Sequence, residues 1–228
     1  MHVHCLQHVP HEGPAGVAEW ARARGHDITR TRLYADESLP DPDAIDALVV
    51  MGGPMSVHDE DTHEWLTAEK AYISTAIEER VHVLGICLGA QLVAEVLGGR
   101  VTEHDHREIG WYPIEATDAA RAWYPTAALP DRFPVVHWHG DRFTIPPDGE
   151  RLYRSEACEN QAFHVGDRVA GFQCHPEATA KSVRALVEAT DVDPGPWVQD
   201  PETLVPAPER FDQLETYCRQ FLDAFFEG

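Results

Sequence analysis

Val81-His-Val-Leu-Gly-Ile-Cys87-Leu-Gly-Ala-Gln91-Leu-Val-Ala-Glu-Val96 is the stretch from which the fold can be read. Val81, Val83 and Leu84 make a short apolar run suited to a buried strand. Leu92, Val93, Val96 and Leu97 then recur at helical spacing until Gly98-Gly99 stop them. Between the two stands Gly85-Ile-Cys87-Leu-Gly89. A strand, a sharp turn holding one nucleophile between glycines, and a helix form a nucleophile elbow, here with cysteine in the serine position. Glycines are needed because side chains there would crowd the nucleophile or the helix behind it. Cys87 is then placed at a helix N-terminus, where free N–H groups and the macrodipole favour a thiolate. Alone, the same five residues also suit a small core cysteine in a glycine turn, so the rest of the chain has to decide.

Upstream, Ile45-Asp-Ala-Leu-Val-Val-Met51 is an apolar run typical of a buried parallel strand, and it ends in Gly52-Gly53-Pro54. Trp65, Ala68, Tyr72, Ile73 and Ile77 predict an amphipathic helix leading into the elbow strand. Farther back, His2 to Val9 reads as a first strand, Val17, Trp20 and Ala21 as a helix face closed by Gly25, and Ile28 to Tyr34 as a second strand. This alternation predicts an α/β fold, a doubly wound, mainly parallel sheet with helices on both faces and ligands at the carboxyl ends of its strands. After Arg100 the pattern changes to short strands: Ile109 to Ile114, Val135 to Trp138, Arg151 to Arg154, Gln161 to Val165 and Val169 to Cys174. These predict added antiparallel strands, the last two joined through Gly166-Asp167. Ala178 to Thr190 reads as a helix, Asp191 to Glu209 as a proline-rich surface segment and Phe211 to Phe226 as a closing amphipathic helix. The whole, residues 1–228, is expected to be one domain, with 191–228 as its C-terminal segment and helix.

Two further stretches can complete a site around Cys87. In Gly171-Phe-Gln-Cys-His175-Pro-Glu177, alternation puts His175 and Glu177 on one face. A carboxylate there fixes the imidazole tautomer and favours its charged form, and the imidazole activates the thiol. By itself a histidine at a strand end is an ordinary turn residue, and the chain holds fourteen histidines. Gly52-Gly53-Pro54 offers backbone N–H groups that a substrate can approach. With the N–H of Leu88, that of Gly53 can form an oxyanion hole, worth about 3 kcal/mol per donor. Gln91, one helical turn after Cys87, faces the same side and can hold an amino-acid substrate or simply be solvated.

Gly52-Gly53-Pro54, Gly85-Ile-Cys-Leu-Gly-Ala-Gln91 and Gly171-Phe-Gln-Cys-His-Pro-Glu177, in this order and spacing, closely resemble the class I (triad) glutamine amidotransferases. The likeness is strongest to free-standing proteins similar to the amidotransferase domain of GMP synthase, whose fold is flavodoxin-like. Glu108-Ile-Gly-Trp111, His137-Trp-His-Gly-Asp141 and Asn160-Gln-Ala-Phe163 also look like that group. The resemblance implies cleavage of a γ-glutamyl amide, glutamine first, through a thioester on Cys87 with release of ammonia. It implies His175 as general base and acid, Glu177 as its orienter, and Gly53 and Leu88 as oxyanion donors. Gln91 and the backbone at Gly110-Trp111 match positions that hold the amino and carboxylate groups of glutamine. His139 and Asp141 match a recurrent motif that reads best as a hydrogen-bonded turn. After Glu177 no phosphate loop or nucleotide site is evident. One explanation is therefore a glutaminase subunit whose partner is an ammonia-accepting synthase subunit. Otherwise the chain is a free-standing hydrolase of small γ-glutamyl compounds or a non-catalytic binding relative.

Composition narrows the remaining classes. The 39 acidic residues against 18 basic give a formal net charge of −21, with Lys70 and Lys181 the only lysines. Such a surface repels nucleic acid and anionic membrane, so neither is expected as a partner. Spread along the whole chain, the acids fit the solvation role seen in halophilic proteins, in which case molar KCl should raise the melting temperature. Five scattered cysteines lack both a disulfide framework and metal-ligand spacing, and no metal or cofactor is called for. The N-terminus lacks the basic flank and apolar stretch of a signal peptide, so a cytoplasmic location is expected.

Overall fold

The computed structural model describes residues 1–228. In chain order its elements are β1 (His2–Gln7), α1 (Ala15–Arg24), β2 (Asp27–Arg32), β3 (Ala47–Val50), α2 (Trp65–Glu78), β4 (His82–Ile86) and α3 (Leu88–Val96). There follow β5 (Val101–Ala116), α4 (Asp118–Ala122), α5 (Tyr124–Ala127), β6 (Arg132–Phe143), β7 (Glu150–Arg154), β8 (Ala162–Val165) and β9 (Val169–Phe172). The chain closes with α6 (Ala180–Ala189), β10 (Trp197–Val198) and α7 (Pro208–Glu227). One ten-stranded sheet runs β10-β5-β7-β8-β9-β4-β3-β1-β2, with β6 paired to β5. The pairs among β2, β1, β3, β4 and β9 are parallel; β8 with β9, β7 with β8, and β5 with β6 and β7 are antiparallel.

Every residue of β3 is buried, as are Val83 to Ile86 of β4. Both strands are covered on two faces, which is why their sequences read as continuous apolar runs. One face packs Val3, Cys5, Val49, Leu84 and Ile86 under α1 and α7; the other packs Leu6, Leu48, Val50 and Val83 under α2 and α3. Helix α7 earns its place by periodicity: Phe211, Leu214, Cys218, Phe221, Leu222 and Phe225 recur every three or four residues and are buried. With Leu204 they join the first face's core, so the 191–228 segment is continuous with the rest of the packing. At the start of α6, Thr179 and Ser182 form a reciprocal capping box.

Several expected boundaries shift. The second strand stops at Arg32, where Leu33–Ala35 turns into a single 3₁₀ turn. Strand β5 is far longer than the apolar run Ile109–Ile114, because Glu103 to Arg107 are polar residues that border a cavity and break the register against β6. The proline-rich segment contributes the two-residue edge strand β10. No helix is long and apolar enough to cross a membrane.

Candidate active site

Cys87 joins β4 to α3 with φ 53° and ψ −111°, a backbone conformation that L residues avoid and that is held here by its surroundings. Its N–H donates to the Phe172 carbonyl at 2.7 Å, and the Gly89 N–H donates to the Met51 carbonyl at 3.1 Å. The elbow is thus tied to the strands on both sides of it. A Cβ on Gly85 would lie 2.5 Å from the Gly89 carbonyl oxygen, and one on Gly89 would overlap the Val50 carbonyl. The two flanking glycines therefore reflect close approach of α3 to β3 and to its own strand.

His175 lies just beyond β9, and its N–H donates to the Val136 carbonyl at 2.8 Å. Its Nδ1 donates to Glu177 Oε1 at 2.9 Å, with both side chains buried. Nε2 has no hydrogen-bond partner. A Cβ placed on Gly52 would sit 3.3 Å from His175 Cε1 and 3.5 Å from Cys87 Cβ, so imidazole and thiol flank the same glycine. Burial opposes a charged His175, but Glu177 and the facing Cys87 sulfur raise its pKa well above the ordinary histidine value. The Gly16 N–H donates to the Glu177 carbonyl at 2.9 Å, tying the start of α1 to the His-Pro-Glu turn.

Gly53 borders the cavity in front of Cys87. A Cβ there would fall 3.0 Å from both Leu88 Cδ2 and His8 Cβ, and 2.6 Å from Met55 Sδ. Leu88 opens α3, and the first N–H groups of a helix have no partner within it. The neighbouring peptide is pinned from behind: His8 Nδ1 donates to the Gly52 carbonyl at 2.9 Å, and His8 Nε2 meets Glu69 Oε1 at 2.8 Å. The Gly52 carbonyl and Gly53 N–H belong to one planar trans peptide and point in opposite directions. Holding the carbonyl therefore aims the N–H. Both His8 nitrogens act as donors, which requires the imidazolium form. Burial works against that charge and Glu69 offsets it, leaving the His8 pKa raised.

The cavity measures about 710 Å³ and is lined by Gly53, Cys87, Gln91, Trp138 and His139 among others. Cys87 Sγ is 3.5 Å from the Trp138 carbonyl oxygen and 3.8 Å from Gln173 Nε2. Gln91 Nε2 donates to Gln173 Oε1 at 3.2 Å. Glu12, from the loop after β1, crosses above Gly52, and burial raises its carboxyl pKa.

The glutamine amidotransferase class-I family model matches residues 17–189. Over 192 residues the chain is 38% identical to the glutamine amidotransferase-like protein YfeJ of Salmonella typhimurium, spanning 82% of this chain and 80% of that protein. The chain belongs to the class I glutamine amidotransferase family. GMP synthase (glutamine-hydrolyzing) from Thermomicrobium roseum is 37% identical over 141 residues, covering 61% of this chain but only 25% of the synthase. Among solved structures, a glutamine amidotransferase from Methylobacillus flagellatus superposes with a TM-score of 0.91 at 31% identity, covering 99% of this chain and 94% of that one. Another, from Thermotoga maritima, gives 0.89 at 28% identity, covering 100% and 99%. These structures share the α/β fold with its mixed, mostly parallel sheet.

In this family member, six of the eight predicted site residues converge: Cys87, His175, Glu177, Gly53, Leu88 and Gln91. Gly110 and Trp111 do not. They lie within β5, and Gln199 covers them: its Oε1 accepts the Trp111 N–H at 2.9 Å and its Nε2 donates to the Trp111 carbonyl at 3.0 Å. The Trp111 ring is buried against Phe211, and its indole N–H donates to the Leu204 carbonyl. Neither residue lines the cavity, whereas Trp138, the cross-strand partner of Ile109, does. His139 and Asp141 do form a local hydrogen bond, His139 Nδ1 to the Asp141 carbonyl at 3.0 Å. In addition His139 belongs, with His137 and Glu108, to the buried group whose donor atoms could hold a metal. The other four cysteines are free and buried, and burial pushes Cys5 up to about 12 and Cys158 up to about 11, out of the reactive range. Sequence reading missed His8, Glu12, Glu69 and Gln173. His8 alone carried a usable signal, its position at the carboxyl end of a parallel strand.

Proposed function

We propose that the chain hydrolyses a γ-glutamyl amide through a thioester on Cys87. The observation that carries this is the buried His175–Glu177 pair, with the imidazole's remaining nitrogen unpartnered beside the thiol. His175 takes the Cys87 proton, the thiolate attacks the amide carbon, and the developing oxyanion accepts hydrogen bonds from the Gly53 and Leu88 N–H groups. The imidazolium then protonates the leaving nitrogen, which departs as ammonia or an amine. Water, deprotonated by the same ring, cleaves the thioester to the free γ-carboxylate. Gln91 and the wall at Trp138 bind the amino-acid end of the donor. Glutamine is the substrate expected for the family, and an ammonia-accepting synthase subunit is the partner this reading supports.

A second reading is favoured by the size of the cavity. About 710 Å³, extending past His58, Asp59 and Glu103 to Arg107, is ample for more than a glutamine side chain. This suits a free-standing hydrolase acting on γ-glutamyl conjugates of larger amines. Incubating the purified chain with glutamine and with γ-glutamyl dipeptides, while trapping the thioester with hydroxylamine as a γ-glutamyl hydroxamate, tests both. Hydroxamate from glutamine supports the amidotransferase reading, and hydroxamate from the dipeptides alone supports the hydrolase. No hydroxamate from either overturns the thioester mechanism.

A further inference from the structure

Behind the cavity wall, Glu108 of β5 and His137 and His139 of β6 converge, all buried. Alternation puts the two histidines on one face of β6, and Glu108 is the cross-strand partner of His139. Glu108 Oε2 is 3.1 Å from His139 Nε2 and 3.4 Å from His137 Nδ1, and the three donor atoms lie within 4.8 Å of one another. The outer nitrogen of each ring is already engaged. His137 Nε2 meets the Tyr112 carbonyl at 3.2 Å and His139 Nδ1 meets the Asp141 carbonyl at 3.0 Å. Carbonyl oxygens only accept, so these outer nitrogens carry the protons. A neutral imidazole has one N–H. In that form each inner nitrogen presents a lone pair toward the Glu108 carboxylate; a second proton on His139 would instead let its Nε2 donate to Oε2 at 3.1 Å. His137 Nδ1 has no hydrogen-bond partner at all. Glu108 Oε2 and the two inner nitrogens thus converge on one point that protons or a metal cation can fill.

We propose that Glu108, His137 and His139 form a binding site for a zinc-type divalent metal ion. Bonds of about 2.0–2.1 Å to a tetrahedral zinc place neighbouring donors roughly 3.3 Å apart, close to the 3.1 and 3.4 Å separations seen. Each histidine donates its outer N–H to a backbone carbonyl, the support that metal-bound histidines need. Gln161 Nε2 at 2.6 Å and Ser155 Oγ at 2.9 Å hold the carboxylate. His139 borders the cavity, which supplies the access route. The bound ion braces the segment of β6 that carries Trp138, whose carbonyl rests against the Cys87 sulfur.

The test is titration of chelator-stripped protein with Zn²⁺ by calorimetry and with Co²⁺ by visible spectroscopy. Wild type and Cys87→Ala should each bind one ion per chain, and the Co²⁺ complex should show the bands of a four-coordinate nitrogen and oxygen site without thiolate charge transfer. His137→Gln and Glu108→Gln should abolish binding while keeping native far-UV circular dichroism. Gln161→Leu should weaken it about 10–100-fold. Wild type that takes up no Zn²⁺ overturns the site, as does binding lost in Cys87→Ala. Nitrogen NMR of the stripped protein showing imidazolium at both His137 and His139 overturns it too. The wild-type and Cys87→Ala arms decide the matter even if a ligand variant fails to fold.

Discussion

Two buried histidine–glutamate pairs stand around Gly52, one locked and one with a nitrogen to spare. His8 is held by Glu69 at 2.8 Å and spends its other nitrogen on the Gly52 carbonyl at 2.9 Å. His175 is held by Glu177 at 2.9 Å and leaves Nε2 unpaired beside Cys87. Residue types and burial match, and in both the partner carboxylate raises the histidine pKa against desolvation. What differs is the second nitrogen. A histidine with both nitrogens engaged is a clamp, and one with a free nitrogen can move a proton.

The contrast is broken most severely at His175 and Glu177 with the thiol they face. Cys87→Ala should abolish turnover, and His175→Ala should lower kcat on the order of 10⁴-fold or more, because the members of a triad act as a unit. Undiminished glutamate release by either variant would remove that residue from the mechanism. Glu177→Gln, which keeps the shape but not the charge, should cost about 10³-fold, less than loss of the base. At the clamp, His8→Ala should lower kcat about 10²-fold with KM nearly unchanged, since a misaimed Gly53 N–H is missed only in the transition state. His8→Asn puts an amide donor near the position of Nδ1 and should recover most of that loss. Equal losses in both variants would mean that His8 serves packing and does not aim the peptide.

The smallest expected effect is on stability. Because the folded His8 pKa is raised above 6.5, its contribution is fully present below about pH 6.5 and is lost as pH climbs through the raised value. Melting temperature in wild type should therefore fall on the alkaline side more steeply than in Glu69→Gln. Parallel curves for the two proteins would show that the pair adds nothing to stability.

The elbow was legible because it is local: strand, glycine turn and helix fit in sixteen residues, and the backbone at Cys87 has the strained conformation such a turn demands. His175 and Glu177 were legible through a motif, and the sheet order explains why the motif works, since β3, β4 and β9 are neighbours. His8 was not, because its place at the end of a strand marks it only weakly among fourteen histidines until its two partners, 44 and 61 residues away, are in place. Gly110 and Trp111 fall outside the cavity lining for the converse reason. Gln199, 88 residues beyond Trp111, pairs with that backbone, and no local pattern foretells it. The convergence of Glu108, His137 and His139 was invisible for the same kind of reason, its members being divided between two strands.

The position of β4, between a strand that precedes it and one that follows about eighty residues later, also sets an order of assembly. A growing chain can make the thiol turn and the glycine loop early, yet His175 does not reach them until β9 inserts antiparallel to β8 and parallel to β4. Such non-local pairing is slow relative to hairpins and helices. On the proposed mechanism, reactivity at the sulfur therefore arrives only with completion of the sheet, and an unfinished chain would carry a thiol that has not yet been armed.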